Sequence, residues 1–200
     1  YEGSLLMETQ EIRKSKLIKN SPNFITFLNL VFGVMAILVC ICHKGVRYRI
    51  IASTFILISC FFDSIDGTLA RKLNAVSEMG KQLDSFADIV SFGISPMVLA
   101  VSTIFEYEKS MLIYILLCIV TILYITCGIA RLVRYNLGDF SSYFIGLPIT
   151  VSGFILSIYF LIINKFEIVK LDLLSIILIF VLSILMISSI KVKRINFKKR

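Results

Sequence analysis

Residues 51–88 read IASTFILISCFFDSIDGTLARKLNAVSEMGKQLDSFAD. An apolar run ends at Asp63 and Asp66, and a second acidic pair, Asp84 and Asp88, precedes the next apolar run. Carboxylates within long apolar segments are costly in a bilayer and usually mark a functional site. This stretch therefore predicts two membrane helices that bring their acidic ends together.

The composition of the whole chain agrees with a membrane location. The 200 residues are 58% hydrophobic and only 17% charged, and the mean hydropathy is +0.90, which together predict a polytopic membrane protein. In such a chain a net charge of +8 reflects cytoplasmic loops and anionic lipid, so no nucleic-acid partner is predicted. All five cysteines fall in apolar runs and the only histidine is His43, which predicts buried thiols and excludes zinc, iron–sulfur and disulfide-rich classes.

The fold class predicted from these apolar runs is all-α, with six transmembrane helices. The spans are expected at residues 24–42, 48–70, 84–105, 111–133, 146–164 and 172–190. An even number of spans places both termini on one side, and 15 of the 21 Lys and Arg residues then share that side. The positive-inside rule makes that side the cytoplasm of a cell-membrane protein.

One membrane domain is expected, over residues 22–190. A cytoplasmic tail, residues 1–21, precedes it, and its first six residues have the character of a tag remnant. The rest of this tail fits either an interfacial helix or a flexible segment, and Pro22 is expected to interrupt the backbone before the first span. The basic tail, residues 191–200, is expected to rest on anionic headgroups.

Helical periodicity places the four aspartates on two facing surfaces. Such a cluster needs divalent cations, and oxygen ligands favour Mg²⁺ or Mn²⁺, so a site for two metal ions is predicted. Gly67, Ala70 and Gly80 leave room on the same faces, and Arg71 offers a guanidinium for phosphate, so the expected ligand carries a pyrophosphate. The alternative is that the small residues serve helix packing and that the Asp–Arg pair is interfacial.

The segment as a whole has the pattern D-x2-D-G-x2-A-R-x8-G-x3-D-x3-D. This string resembles the signature of the CDP-alcohol phosphotransferase family of integral membrane enzymes, without a departure. The resemblance implies a six-helix bundle, commonly a homodimer, with its active site at the cytoplasmic face. It also implies that four aspartates bind two metal ions and that the last of them is the general base; these are Asp63, Asp66, Asp84 and Asp88. The residues implied for the CDP-lipid are Asp66, Gly67, Ala70, Arg71, Ser77 and Gly80.

The first span adds a weaker match to the CDP-lipid site. Thr26 and Asn29 are polar positions in an apolar run, where family members contribute further contacts to this lipid. Hydrogen bonds between helices would explain the same two residues equally well.

Three later segments bear on the acceptor alcohol, namely Ile89–Pro96, Ala130–Asn136 and Phe144–Pro148. They resemble segments of phosphatidylserine synthases of the Gram-positive and archaeal type, which implies CDP-diacylglycerol and L-serine as substrates and CMP as a product. The residues expected to bind the serine carboxylate are Arg131, Arg134 and Asn136.

Simpler interpretations of these segments stay open. Two arginines would also suit glycerol phosphate or inositol phosphate, or would serve only as positive-inside anchors. Ser91 and Ser95 fit hydrogen bonds within their own helix, and Gly146–Pro148 fits a turn into the fifth span. The last two spans are expected to be scaffold.

A function of another class, a cation channel or transporter, would use the acidic cluster as an ion path. It predicts acidic residues distributed through the depth of the membrane, whereas the sequence gathers them at one end of two spans.

Overall fold

The computed structural model describes residues 2–73, 77–107, 110–137, 143–168, 172–188 and 191–193. Its helices are α1 (Glu2–Cys42), α2 (Val46–Lys72), α3 (Glu78–Asp88), α4 (Ser95–Tyr107), α5 (Met111–Leu137), α6 (Ile149–Lys165) and α7 (Asp172–Ile187). A π-helical turn, Ile89–Ile94, joins α3 to α4, and two short strands are β1 (Tyr143–Ile145) and β2 (Lys191–Lys193).

Four of the expected spans are long, apolar helical segments. They are Pro22–Cys42, Val46–Ala70, Glu78–Glu106 and Met111–Asn136, each long enough to cross a bilayer. The last two expected spans correspond to the shorter apolar helices Ile149–Lys165 and Asp172–Ile187. The chain is therefore a helical protein of the multi-pass membrane type.

The outer surface of the bundle is apolar. Ile41, Phe61 and Ile122 are 67%, 64% and 67% exposed, respectively, and many large apolar side chains accompany them. Apolar exposure on this scale is unfavourable in water but is what the acyl chains of a bilayer would cover. Two of the cysteines predicted to be buried, Cys42 and Cys118, lie on this surface, because an apolar thiol is as well placed against lipid as in a core.

The core is formed where α2 packs against α1 and α6, and where α5 packs against α7. Its fully buried side chains include Ile56, Phe92, Tyr124 and Phe160. Glycines allow the closest approaches, since a Cβ on Gly153 would lie 2.8 Å from the Cβ of Phe92. Small residues at helix contacts are the usual means by which membrane helices pack closely.

The short strands depart from the predicted all-α fold. β1 and β2 pair antiparallel, with Tyr143 opposite Lys193. From the sequence, Lys191–Lys193 is predicted to lie in the basic tail. A run of charged residues does not indicate pairing with a strand far away in the chain. The turn predicted at Gly146–Pro148 is present, and Gly146 adopts a φ of +75° with its missing Cβ position 2.3 Å from the Met186 carbonyl oxygen.

The predicted interruption at Pro22 is wrong. α1 continues through this residue from the tail into the first span. Membrane helices tolerate proline although it removes one backbone N–H donor. In the following turn the Thr26 hydroxyl donates to the Pro22 carbonyl oxygen at 3.1 Å.

A polar network ties three helices together at the end of the bundle opposite the aspartates. Arg49, near the start of α2, is 1% exposed and donates to the Asn164 side chain of α6 at 2.6 Å. Its guanidinium also pairs with Glu106 of α4. Asn164 in turn donates to the Thr103 hydroxyl at 3.3 Å. From the sequence alone, Arg49 is one of the six Lys and Arg residues on the side opposite the termini.

Replacing Arg49 with alanine should therefore destabilise the bundle. We expect a loss of about 3 kcal/mol in the free energy of unfolding, because Glu106 and Asn164 lose a buried partner while Glu106 keeps some access to solvent. Thermal unfolding in detergent measures this, and Lys165→Ala, an exposed change at the same end, should shift stability by less than about 0.5 kcal/mol. Equal effects of the two substitutions would contradict the role of the network.

Candidate active site

Two helices position the acidic cluster. Asp63 and Asp66 lie near the end of α2, and Asp84 lies in the middle of α3. One carboxylate oxygen from each of these three residues lies within 4.8 Å of the others. Because the spacing of three and four residues keeps each pair on one helical face, the predicted meeting of two acidic faces is present in the structure.

Asp88, the last residue of α3, joins the cluster from its buried side. Its carboxyl group is hydrogen-bonded to that of Asp63, and only 8% of the residue is exposed. Two ionised carboxyl groups in contact repel each other unless a proton or a cation lies between them. The cluster therefore requires a bound proton or a cation.

The free acceptor atoms of the cluster fit a hard metal ion. Asp66 Oδ2 and Asp88 Oδ1 are buried and have no hydrogen-bond partner among the described residues. Buried oxygens of this kind are unfavourable unless a ligand satisfies them, and carboxylates are ligands that Mg²⁺ and Mn²⁺ prefer. The aspartate cluster could thus bind a divalent metal.

A cavity of about 180 Å³ opens beside Asp66 and Asp84. Its remaining lining is contributed mainly by small and polar residues of α1, α2 and α3: Pro22, Asn23, Thr26, Gly67, Ala70, Ser77, Gly80 and Lys81. No atom lies within 4 Å of the position that a Cβ on Gly67 would occupy, so packing does not require this glycine. Its effect is to leave space for a ligand close to the helix backbone.

The predicted CDP-lipid residues fall at different places around this cavity. Gly67, Ala70 and Gly80 line it, and the Ser77 hydroxyl both lines it and caps α3 by accepting from the Gly80 N–H at 3.0 Å. Thr26 also lines the cavity beside Asp66, and its hydroxyl donates to the Pro22 carbonyl oxygen. The side chain of Arg71 lies outside the described part of the structure.

Asn29 lies behind the cavity lining. It is 0% exposed, and its carbonyl oxygen accepts hydrogen bonds from the Ser59 and Ser91 hydroxyls at 3.0 and 3.1 Å. Its side-chain oxygen accepts from Ser59 as well. These contacts join α1 to α2 and to the π-helical turn, which is the packing role that the sequence left open for this residue.

The three residues predicted for the acceptor do not converge. Arg131 is 8% exposed, interacts electrostatically with Asp88, and its Nε has no hydrogen-bond partner in the described chain. Arg134 instead donates to the Ile187 carbonyl oxygen of α7 at 3.4 Å, and Asn136 donates to Ser85 of α3 at 2.9 Å. Arg131 is thus the member of this group whose charge acts on Asp88.

One contact to the aspartate cluster, made by Thr150, was not predicted from the sequence. The Thr150 side chain, in the first turn of α6, contacts the Asp63 carboxyl group. The one sequence feature that could have suggested Thr150 is that it closely follows the Gly146–Pro148 turn. That turn lies near the end of α2 only in the folded structure. The cavity residues Asn23 and Lys81 were also missed.

Comparison with known proteins agrees with this site. The profile of the CDP-alcohol phosphatidyltransferase family matches residues 19–190. The chain belongs to this family.

Several curated relatives are similar to much of this chain. A CDP-diacylglycerol–serine O-phosphatidyltransferase of Bacillus subtilis is 40% identical over 139 residues, which cover 68% of this chain and 73% of that protein. The protein of the same name from Methanocaldococcus jannaschii is 34% identical over 73% of this chain and 63% of its own length. An archaetidylserine synthase of Methanothermobacter thermautotrophicus is 34% identical, over 70% of this chain and 57% of its own.

The Thr150 contact generates a prediction about metal binding. Thr150→Val removes the hydroxyl but keeps the shape of the side chain, and should weaken Mn²⁺ binding about tenfold because Asp63 loses an orienting partner. Thr150→Ser should retain the affinity. Titration of purified protein with Mn²⁺, followed by electron paramagnetic resonance, measures both, and wild-type affinity in the valine variant would contradict the assignment.

Proposed function

We propose that this enzyme is a phosphatidylserine synthase, which transfers the phosphatidyl group of CDP-diacylglycerol to the hydroxyl of L-serine and releases CMP. The observation that carries the proposal is the aspartate cluster, since Asp66 and Asp84 border a cavity bounded by small residues and Asp88 lies beside a buried arginine. The names of the relatives support serine as the acceptor.

The lipid nucleotide would enter beside the small residues. Gly67, Ala70 and Gly80 line the cavity, so a pyrophosphate and its nucleoside could approach the helix backbones closely. We propose that Ser77 and Arg71 complete the contacts to the CDP group, as the family pattern implies. Lys81 at the cavity rim adds a cation suited to phosphate, although in the structure it pairs with Glu78 at 2.8 Å.

The reaction itself would be a direct displacement at phosphorus. Asp88 accepts the proton of the serine hydroxyl as its oxygen forms a bond to the phosphorus that carries diacylglycerol, and the bond from that phosphorus to the CMP oxygen breaks. A carboxylate can serve as base for so weak an acid only where the hydroxyl is held close and water is scarce. The low exposure of Asp88 meets this condition.

We assign two Mg²⁺ or Mn²⁺ ions to Asp63, Asp66, Asp84 and Asp88. When bound there, they would neutralise charge on the pyrophosphate and on the departing CMP. Thr150 would help to orient one of these ligands through its contact with Asp63.

Arg131 is the residue we propose for the serine carboxylate. Its unsatisfied Nε and its proximity to Asp88 suit it to hold an acceptor beside the base. Arg134 and Asn136 bond to neighbouring helices, and we propose that they support the end of α5 that carries Arg131.

The membrane arrangement is proposed from the charge pattern. Six spans with both termini in the cytoplasm would place the aspartates at the cytoplasmic face of the cell membrane, where CDP-lipid headgroups and serine are available. A homodimer is proposed from the family resemblance, with an apolar groove between α3 and α5 as available contact surface; Phe86 and Val133 line it.

The rival functions differ in what they require of the site. Another acceptor, such as glycerol phosphate or inositol phosphate, would use the same aspartates and also suit Arg131. A channel or transporter would need acidic groups spread along the membrane depth, whereas these gather around a single point.

The acceptor assay tests the proposal. Purified protein with Mn²⁺ or Mg²⁺ and CDP-diacylglycerol should release CMP with L-serine, and chelation of the metal should abolish release. Glycerol 3-phosphate and inositol phosphate should give less than about a tenth of the rate, because each phosphate is bulkier and more highly charged than a carboxylate. Release only with a phosphorylated alcohol would overturn serine as the acceptor.

Arg131→Gln should separate acceptor binding from nucleotide binding. We expect the KM for serine to rise roughly 10- to 100-fold with the loss of a charge-assisted hydrogen bond, while the KM for CDP-diacylglycerol changes less than about threefold. Arg47→Gln, the same change on an exposed residue at the far end of α2, should leave both values unaltered. An unchanged KM for serine in the Arg131 variant would remove this residue from the acceptor site.

A further inference from the structure

The π-helical turn that follows Asp88 is fastened to α1 by two buried serines. The Ser91 hydroxyl donates to the Asn29 carbonyl oxygen at 3.1 Å, and the Ser95 hydroxyl lies 2.8 Å from the Gly33 carbonyl oxygen. Ser95 also lies 2.8 Å from the Val90 carbonyl oxygen within the turn. The simpler interpretation left open by the sequence, hydrogen bonds within their own helix, is therefore incomplete, because both serines also reach α1.

Steric contacts hold the same turn from both sides. A Cβ on Gly33 would lie 2.3 Å from the Ser91 Oγ, so α1 approaches the turn as closely as a glycine allows. On the opposite side Gly153 of α6 packs against Phe92. The Tyr124 hydroxyl of α5 donates to the Phe92 carbonyl oxygen at 3.1 Å. Three helices thus fix a single turn.

The turn changes how the two parts of this span face the bundle. An i→i+5 turn takes up about one residue more than an α-helical turn, which rotates everything beyond it by roughly 100° relative to a continuous α-helix. On a continuous α-helix Asp88 of α3 and the buried Leu99 of α4, eleven residues apart, would lie within about 20° of each other. The offset separates these two directions by roughly 80°, so that α3 directs Asp88 at Asp63 while α4 buries Leu99 and Thr103. Without it, packing α4 into the core would turn Asp88 away from Asp63.

We propose that Ser91 and Ser95 are positioning residues for Asp88. By donating to α1 they stabilise the π-helical turn, and the turn aims the Asp88 carboxyl group at Asp63 and at the acceptor. The inference rests on the proposed function for the role of Asp88, while the placement of Asp88 in the aspartate cluster is independent of the acceptor alcohol.

The test combines serine substitutions with Asp88→Asn. Ser91→Ala and Ser95→Ala, singly and together, are compared in the wild-type and Asp88→Asn backgrounds. We expect the double serine variant to lower kcat at least tenfold, with KM for CDP-diacylglycerol within about threefold of wild type, and to weaken Mn²⁺ binding. In the Asp88→Asn background the same substitutions should cause no further loss in either measurement, since their effect passes through Asp88.

Two further variants keep the result interpretable. Ser183→Ala is the matched control, because this buried serine donates to the Ile179 carbonyl oxygen within its own helix at 2.8 Å and lies in α7. It should retain wild-type kcat and Mn²⁺ affinity. Gly33→Ala displaces Ser91 by steric contact instead of by removing its hydroxyl, and should reproduce the serine phenotype. If the double variant does not fold, as judged by thermal unfolding, the single variants replace it.

Several outcomes would overturn the proposal. Unchanged kcat and Mn²⁺ affinity in the serine variants would do so, as would losses that add in full to those of Asp88→Asn. Mn²⁺ binding is measured without any alcohol. If serine is not the acceptor, the wild-type protein will fail to release CMP with serine, and the Mn²⁺ measurements will be unaffected. A failure of the positioning role appears in the Mn²⁺ comparison, whichever alcohol is used.

Discussion

Repulsion among four carboxylates at one end of an apolar bundle is the constraint to which the rest of the structure responds. At about 4 Å, two unit charges repel by roughly 4 kcal/mol at the effective dielectric of a protein interior, and several such pairs would rival the whole stability of a domain. Protons or cations must therefore neutralise the cluster. Its geometry is useful for binding metal only if the helices hold the carboxylates in place against that repulsion.

The bundle supplies this restraint with backbone and hydroxyl contacts instead of a larger core. Thr150 contacts Asp63, and Asn29 links α1 to its neighbours by accepting from hydroxyls of α2 and of the π-helical turn. Because water does not compete within a bilayer, such polar contacts and close glycine packing are the main means of fixing one helix against another. At the opposite end the Arg49 network does the same for α2, α4 and α6.

Features of the fold and of the site that depend on the spacing of nearby residues can be predicted from the sequence. The long apolar helices follow from hydropathy, and the meeting of Asp63, Asp66 and Asp84 follows from a spacing of three or four residues. What the sequence does not reveal depends on contacts between distant segments. The π-helical turn at Ile89–Ile94 would be equally compatible with an α-helix until α1 and α6 pack against it. The Thr150 contact and the pairing of β1 with β2 are invisible for the same reason.

The cluster has two sides, and in the proposed reaction each side would hold a different substrate. Asp66 and Asp84 border the cavity with its small residues, whereas Asp63 and Asp88 lie towards Thr150 and Arg131. A nucleotide held on the first side and an alcohol held on the second would meet across the aspartates, with the base on the side of the incoming hydroxyl. Attack and departure would then occur on opposite faces of the phosphorus, so a single displacement suffices and the protein needs no nucleophile of its own. In this arrangement, the aim of Asp88 matters as much as its chemistry.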